Sequence, residues 1–303
     1  MAPIRTQVVD SEVMFELPSL LRSVCVHYLR IVFPRIDWRI YARHLLYCRR
    51  SLPRLRQLRN RHEGETIFCL GNGPSLKQQK LDLLNGKIVL LTNRAFQLLD
   101  RFQPAVAYNV VGDVHGFNKI GQSLLARPET TFVSCHLLAG SALNSDYCSD
   151  KHLYLMPAFK WQRNAGIIQP QVLLSPGFSW DITQHIYWGY SVIFGAIQIA
   201  CHLGARRVVM VGVDMSYTGD PTKDYAIARN ETPNWRMDYD LHAKPMFEFV
   251  VRELKRSKVE FLNATLGGRV DCVPRVSLET ICRSTELRAN TSSGPHFEHH
   301  LHR

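Results

Sequence analysis

The eight cysteines of this 303-residue chain include no C-x-x-C pair, and outside the tail its histidines form no H-x-x-x-H or H-x-x-E-H pattern. Both absences argue against a structural zinc. The cysteines lie far apart and several sit inside apolar runs, where a free thiol behaves as a small hydrophobe, so the usage reads as that of a reducing, cytoplasmic compartment. Arg5, Asp10, Glu12 and Glu16 break the apolar character of the first twenty residues, so a secretory signal is not expected. Lysine is absent from Met1–His62, which instead holds 12 Arg against four acids and so carries +8 of the formal +11. The other 241 residues carry only +3, which disfavours a globally basic nucleic-acid binder. Finally, Ile182–Ala205 has no charged residue over 24 positions. Its Gln184, His185, Gln198 and His202, and its run into a strand-like segment, read as a helix buried against a sheet and not as a membrane span.

What is present divides into three parts. Residues 1–62 form a basic segment with apolar residues at helical spacing, interrupted by Pro34 and Pro53, which predicts two or three short amphipathic helices. Trp38, Tyr41, Leu45, Leu46 and Tyr47 supply apolar bodies beside the arginines. That composition suits a helix lying on an anionic membrane surface, and equally a helical hairpin packed on the main domain or on a second subunit of a homo-oligomer. Residues 63–283 alternate short apolar runs with helical patterns, the signature of an α/β domain with a mostly parallel sheet and flanking helices. Strands are expected at Thr66–Leu70, Ile88–Thr92, Val106–Val111, Thr131–Ser134, Leu153–Met156, Arg207–Val211 and Val259–Leu262. Helices are expected at Ser191–Leu203 and Pro245–Arg256, and a loop or small lid at Phe159–Trp180. Residues 284–303, with His296, His299, His300 and His302, read as a flexible tail.

Gly71-Asn72-Gly73-Pro74-Ser75-Leu76 follows the first strand. Two residues without Cβ let the backbone bend and approach a ligand, and the N–H groups of a following helix start favour an anion. The turn is a phosphate cradle in outline, although Leu76 replaces the third glycine of a dinucleotide fingerprint and no P-loop Lys-Ser/Thr follows. Three further strand ends finish in polar groups: Thr92-Asn93, Gly112-Asp113 and Gly212-Val213-Asp214-Met215-Ser216-Tyr217. In an open parallel sheet these ends converge on the ligand crevice. Taken singly, Asn93 and Asp214 serve equally well as turn or cap formers.

GNGPSL after a strand, TNRAF after the next, a buried helix ending in Leu-Gly before RRVVMVGVDMSY, a later isolated histidine and the closing FLNATLGGRVDCVPRVSLETI together resemble the family 42 sialyltransferases and the glycosyltransferase-like proteins that share domain of unknown function 115. The resemblance covers roughly Glu65–Ile281 and rests on the order of its motifs. It implies a Rossmann-like, GT-A-type domain that binds a CMP-sugar as co-substrate without requiring a metal. It further implies nucleotide contacts from Asn72, Gly73, Ser75 and Asn93, with Gly71 and Pro74 shaping the turn. Donor contacts would come from Asp113, or from Asn109 if the loop aligns differently, and from Ser191, Asp214 and Ser216. His242 would be the general base, and Tyr217 and Tyr225 would stabilise the leaving phosphate. Ser216 stands where the sialyltransferases place their first phosphate-binding tyrosine, and Tyr190-Ser191-Val192 replaces their Thr-Ser-Gly, so the sugar itself is open between a sialic-acid-like and a Kdo-type acid.

Such a sugar leaves as CMP through an oxocarbenium-like transition state, which calls for hydrogen-bonding groups on the departing phosphate and a base beside the incoming hydroxyl. Histidine, with an ordinary pKa near ~6.5, suits the second task. Asp238-Tyr239-Asp240 is a literal D-x-D, but it lies before a helix and not at a strand end, so it reads as helix-approach polarity that orients His242. The resulting expectation is an inverting transfer to a surface glycan, protein or lipid-linked acceptor at the inner membrane face. Two alternatives are a pterin pyrophosphokinase-like enzyme using ATP and Mg²⁺ and a catalytically silent nucleotide-sugar-binding protein.

Overall fold

Thr66–Leu70 forms β1, and all five of its residues are buried. Ile67 and Cys69 enter one core and Phe68 and Leu70 the other, so the strand is covered on both faces and needs no polar alternation. The same logic produces β2 (Ile88–Thr92), β3 (Val106–Val111), β4 (Thr130–Ser134), β5 (His152–Leu155), β8 (Arg207–Val211) and β9 (Glu260–Asn263). All seven expected strands are therefore strands, with ends within one residue of the sequence reading. The computed structural model describes residues 38–112, 114–134, 149–164, 167–220, 222–227 and 238–284.

The seven strands form one open sheet in the order β5-β4-β3-β2-β1-β8-β9, and every pair is parallel. The chain lays down β1 to β5 in one direction and then crosses back to place β8 on the other side of β1. The strand order thus reverses between β1 and β8, the place at which an open parallel sheet generally takes its ligand. One face is covered by α3 (Val192–His202) and α4 (Lys244–Arg256). The other is covered by α2 (Val114–Leu125) and by the short 3₁₀ segments Pro74–Lys77, Leu81–Leu84 and Asn93–Arg101. Among the described residues no helix is long and apolar enough to cross a membrane. The uncharged run 182–205 instead contains α3, whose Gln198 is wholly buried. Its amide accepts from Ser179 and Tyr187 N–H and donates to Tyr187 and Phe194 carbonyls, which pins the preceding loop to the helix.

Two expectations are corrected. The segment Phe159–Trp180 is not only a loop, because Phe159–Asn164 (β6) and Ile167–Val172 (β7) pair as an antiparallel ribbon. Pro170 hid this strand from a sequence reading. In a two-stranded ribbon each strand is an edge, and a missing N–H can face away from its partner. The basic segment, in turn, is not broken at Pro53, since α1 runs continuously over Trp38–Leu58. Pro53 removes the N–H that would bond the Arg49 carbonyl, and both residues lie on the exposed side, where water replaces the bond.

The second half of α1 packs on the β5 edge. Leu55 and Leu58 enter the same core as α3, and Ser51 Oγ accepts the Tyr154 N–H at 2.8 Å, which satisfies a donor that an edge strand would leave unpaired. Beside it His152 is buried, and burial, then the fields of Arg54 and Lys151, hold its imidazole down to about 4. A base whose folded-state pKa is depressed stabilises the fold above its unfolded value of ~6.5 and loses that contribution as pH falls toward the folded value. His152→Phe should therefore flatten the pH dependence. Between pH 7 and 4 the wild type should lose about 3 kcal/mol more unfolding free energy than the variant, read from urea titrations at each pH. Parallel curves would show that His152 is not the group responsible.

Candidate functional site

The candidate site lies at the carboxyl edge of β1 and β8, which pair along their whole length. The loops after these strands continue to pair, with Gly71 N–H donating to Val211 O and Gly73 N–H to Gly212 O, both at 2.8 Å. Asp214 then turns back across the gap. Its carboxylate accepts from Ser75 Oγ at 2.8 Å and from Ser75 N–H at 3.3 Å, and both residues are buried. The N–H at the start of the Pro74–Lys77 segment is thus used by the protein's own carboxylate. Burial pushes the Asp214 carboxyl above its ordinary range, opposed by the bonds from Ser75 and the field of Arg275. The glycine at 73 follows from this contact, because a Cβ there would overlap Asp214 Oδ2 and the Gly212 carbonyl. Its need arises inside the protein, independent of any ligand.

A third loop, following β9, closes over the back of Asp214. Ala264 N–H donates to Met210 O and Arg269 N–H to Asp214 O, both at 2.8 Å, and Thr265 Oγ1 accepts from Val213 N–H at 3.0 Å. Arg275 holds that loop by donating to the carbonyls of Thr265, Gly267, Gly268 and Val270. No role for Thr265 or Arg275 was read from the sequence. The available signal was the glycine pair in Ala264-Thr265-Leu266-Gly267-Gly268, where both glycines adopt positive φ.

Asn72 faces the opposite way and organises the loop after β8. Its Oδ1 accepts from Ile227 N–H at 3.1 Å, its Nδ2 donates to Ile227 O at 3.4 Å, and its carbonyl accepts from Ala226 N–H at 2.9 Å. Within that loop the buried Asp224 gathers Thr218 N–H, Thr218 Oγ1 and Gly219 N–H. The rings of Tyr217 and Tyr225 lie 6.4 Å apart on it, and Ser216 Oγ donates to the Asp214 carbonyl at 3.3 Å.

Across the crevice, Asn93 adopts positive φ and its Oδ1 accepts from Gly112 N–H at 3.4 Å, which ties the ends of β2 and β3 together. Gly112 abuts Trp188 and Val192 at the start of α3. Ser191 is the N-cap residue there, and its hydroxyl makes no capping bond, so it is not committed to the helix. Tyr190, the residue before it, meets His242 with ring centroids 4.4 Å apart. His242 sits in the single π turn Tyr239–Ala243, and its Nδ1 accepts from Asp238 N–H at 3.2 Å. With Nδ1 used as an acceptor, the neutral ring carries its proton on Nε2 and presents a donor there.

Both carboxylates of the D-x-D serve the protein. Asp238 caps the turn by accepting from Leu241 N–H at 3.0 Å, and Asp240 pairs with Arg269 at 2.7 Å while that guanidinium lies over the Tyr239 ring. Among the described residues no group of three or more His, Cys, Asp or Glu is arranged to hold a metal ion. Of the other residues read from the sequence, Asn109 is not at the edge. It is wholly buried within β3, with Nδ2 3.5 Å from Thr131 Oγ1. Asp113 lies outside the described residues. Asn72, Gly73 and Pro74 thus belong to the loop of the Ser75–Asp214 clamp, with Ser216, Tyr217 and Tyr225 on the loop that Asn72 holds, while Asn93 is tied to Gly112, and Ser191 and His242 flank Tyr190 at the start of α3.

Asn72→Ala should release that loop while leaving the clamp intact. Losing two bonds of about 0.7 kcal/mol each corresponds to roughly tenfold faster amide exchange at Ile227, with exchange at Ser75 unchanged. Equal exchange in variant and wild type would show that Asn72 does not anchor the loop. No family model, curated protein or solved structure matches the chain.

Proposed function

We propose that the protein is an inverting GT-A-type glycosyltransferase that moves a sialic-acid-like or Kdo-type sugar from a CMP-sugar to a glycan, protein or lipid-linked acceptor. The observation that carries the proposal is the edge itself. Asn72 and Gly73 follow β1, Asn93 follows β2 and ties it to the end of β3, Ser191 begins α3, and His242 meets Tyr190 beside it, which supports reading this edge as the donor site. The motif order described above supports the nucleotide class.

Ser191 Oγ, the exposed side of the Gly73 turn and the tyrosines of the β8 loop supply neutral donors for a nucleoside phosphate. In the reaction the bond from the anomeric carbon to the phosphate oxygen breaks and that oxygen keeps the electron pair. The acceptor oxygen bonds to the opposite face of the carbon, and its proton passes to a base. For His242 Nε2 to take that proton, Nδ1 must give up its acceptor role toward Asp238 N–H and hold the ring proton itself. While the contact is kept, Nε2–H donates to an oxygen instead. His242 thus has two roles that alternate with one hydrogen bond. The Arg-rich front segment, whose Arg49, Arg50 and Arg56 are exposed, would hold the enzyme peripherally at an anionic inner membrane face.

CMP in EDTA should raise the melting temperature in a concentration-dependent manner, and ATP with Mg²⁺ should not. The reverse pattern would favour the pyrophosphokinase reading, and a CMP response without transfer from any CMP-sugar would favour the silent binder. His242→Ala should keep CMP affinity within about twofold and lower turnover by about 100-fold or more. Unchanged turnover would remove His242 from the chemistry.

A further inference from the structure

A second polar site lies at the other end of the molecule. It is on the β5 edge, four strands and about 19 Å from β1 at ~4.8 Å per strand, and toward the amino end of the strands. Here α1 and β5 border a half-open cavity of about 300 Å³ lined by Tyr47, Arg50, Ser51, Arg54, Asp150, His152 and Tyr154. A helix packed on a sheet edge ordinarily turns an apolar stripe inward. Positions 47, 50, 51 and 54 have the i, i+3, i+4, i+7 spacing of such a stripe, yet they read Tyr, Arg, Ser, Arg. Facing them, His152 and Tyr154 stand two apart on β5 and share one face.

The polar groups of this cavity are only partly used within the fold. Ser51 is spent on the backbone of Tyr154, and Arg54 donates to the carbonyls of Asp150 and Lys151. Arg50 approaches the Asp150 carboxylate at 3.7 Å, with both side chains mostly exposed. His152 is 3% exposed, and neither ring nitrogen has a hydrogen-bond partner. A buried imidazole with both nitrogens unmatched costs about 1–3 kcal/mol for each unmade bond, which calls for a reason. Two guanidinium groups and the nearby Lys151 outnumber the single carboxylate of Asp150, so the field over the cavity is positive. Across its 21 residues α1 carries no acid to offset it.

We propose that this cavity binds a phosphoryl monoester, with Arg50 and Arg54 pairing its oxygens and the His152 wall meeting its ester side. A guanidinium fork matches phosphate oxygens in a way that a lysine does not, and α1 contains Arg and no Lys. The group can arrive on a small soluble molecule or as a lipid headgroup. The two sources share the same recognition chemistry and differ in what else must be present.

The full chain is titrated with glycerol 3-phosphate by calorimetry and, separately, sedimented with phosphatidylcholine vesicles containing or lacking phosphatidic acid. Arg50→Gln is the first variant, because it removes a cation without disturbing the carbonyl bonds of Arg54. Arg54→Lys is the second, because it keeps the charge and loses the fork. Circular dichroism of both variants checks the fold. Saturable binding of glycerol 3-phosphate, weakened about tenfold or more by each substitution, supports a soluble ligand. Binding only to the phosphatidic acid vesicles, weakened to the same degree by each substitution, supports a headgroup. Absence of saturable binding in both formats, or binding that folded Arg50→Gln and Arg54→Lys proteins retain unchanged, overturns the site.

Discussion

The bond between Ser75 and the buried Asp214 carboxylate is the contact on which the carboxyl edge depends. It joins the loops after β1 and β8 at the one place where the chain reverses direction across the sheet. A carboxylate taken out of water is costly unless its oxygens are matched, and here both are matched by one residue, through its hydroxyl and its main chain. The surrounding glycines follow from the clamp. Gly73 clears the carboxylate, and Gly268 clears the Asp214 main chain from behind. The Arg275 staple then fixes the loop that carries Gly268. Three loops from distant parts of the sequence become one rigid wall, and the residues that can meet a ligand are those left outside it.

The clamp also changes how the Gly-rich turn is understood. Such a turn before a helix start suggests an anion cradle, and in this protein the anion is internal. In the proposed reading the donor contacts shift to Asn93, Ser191 and His242 and to the loop anchored by Asn72. Asn72 and Ser75, three apart in the sequence, therefore do different work. One organises a neighbouring loop and the other closes the core.

The sheet was legible in the sequence because burial on both faces leaves short apolar runs with little polar interruption, as in IFCL and RVVMV. The crossing to β8 was legible as a buried helix before a final glycine. The β6–β7 ribbon was not, because Pro170 and the polar residues of Gln169 and Gln171 look like loop chemistry unless the strand is known to be an edge. Pro53 misled in the same way, since its cost depends on which side of α1 faces water. At the carboxyl edge, Asn93 was legible as a polar group closing an apolar run, whereas Ser191 entered only through the family resemblance. The partnership of Ser75 with Asp214 spans 139 residues and the staple by Arg275 acts on carbonyls, and neither leaves a local signature. Asn109, which the resemblance offered only as an alternative to Asp113, lies wholly buried in β3 beside Thr131.

The direct test of the clamp is a double-mutant cycle on unfolding free energy with Ser75→Ala, Asp214→Ala and the pair. A hydroxyl donating to a buried carboxylate should give a coupling of about 1.5–3 kcal/mol. Additivity of the two substitutions within about 0.5 kcal/mol would mean that the residues stabilise the edge independently and that the crevice is organised by something else.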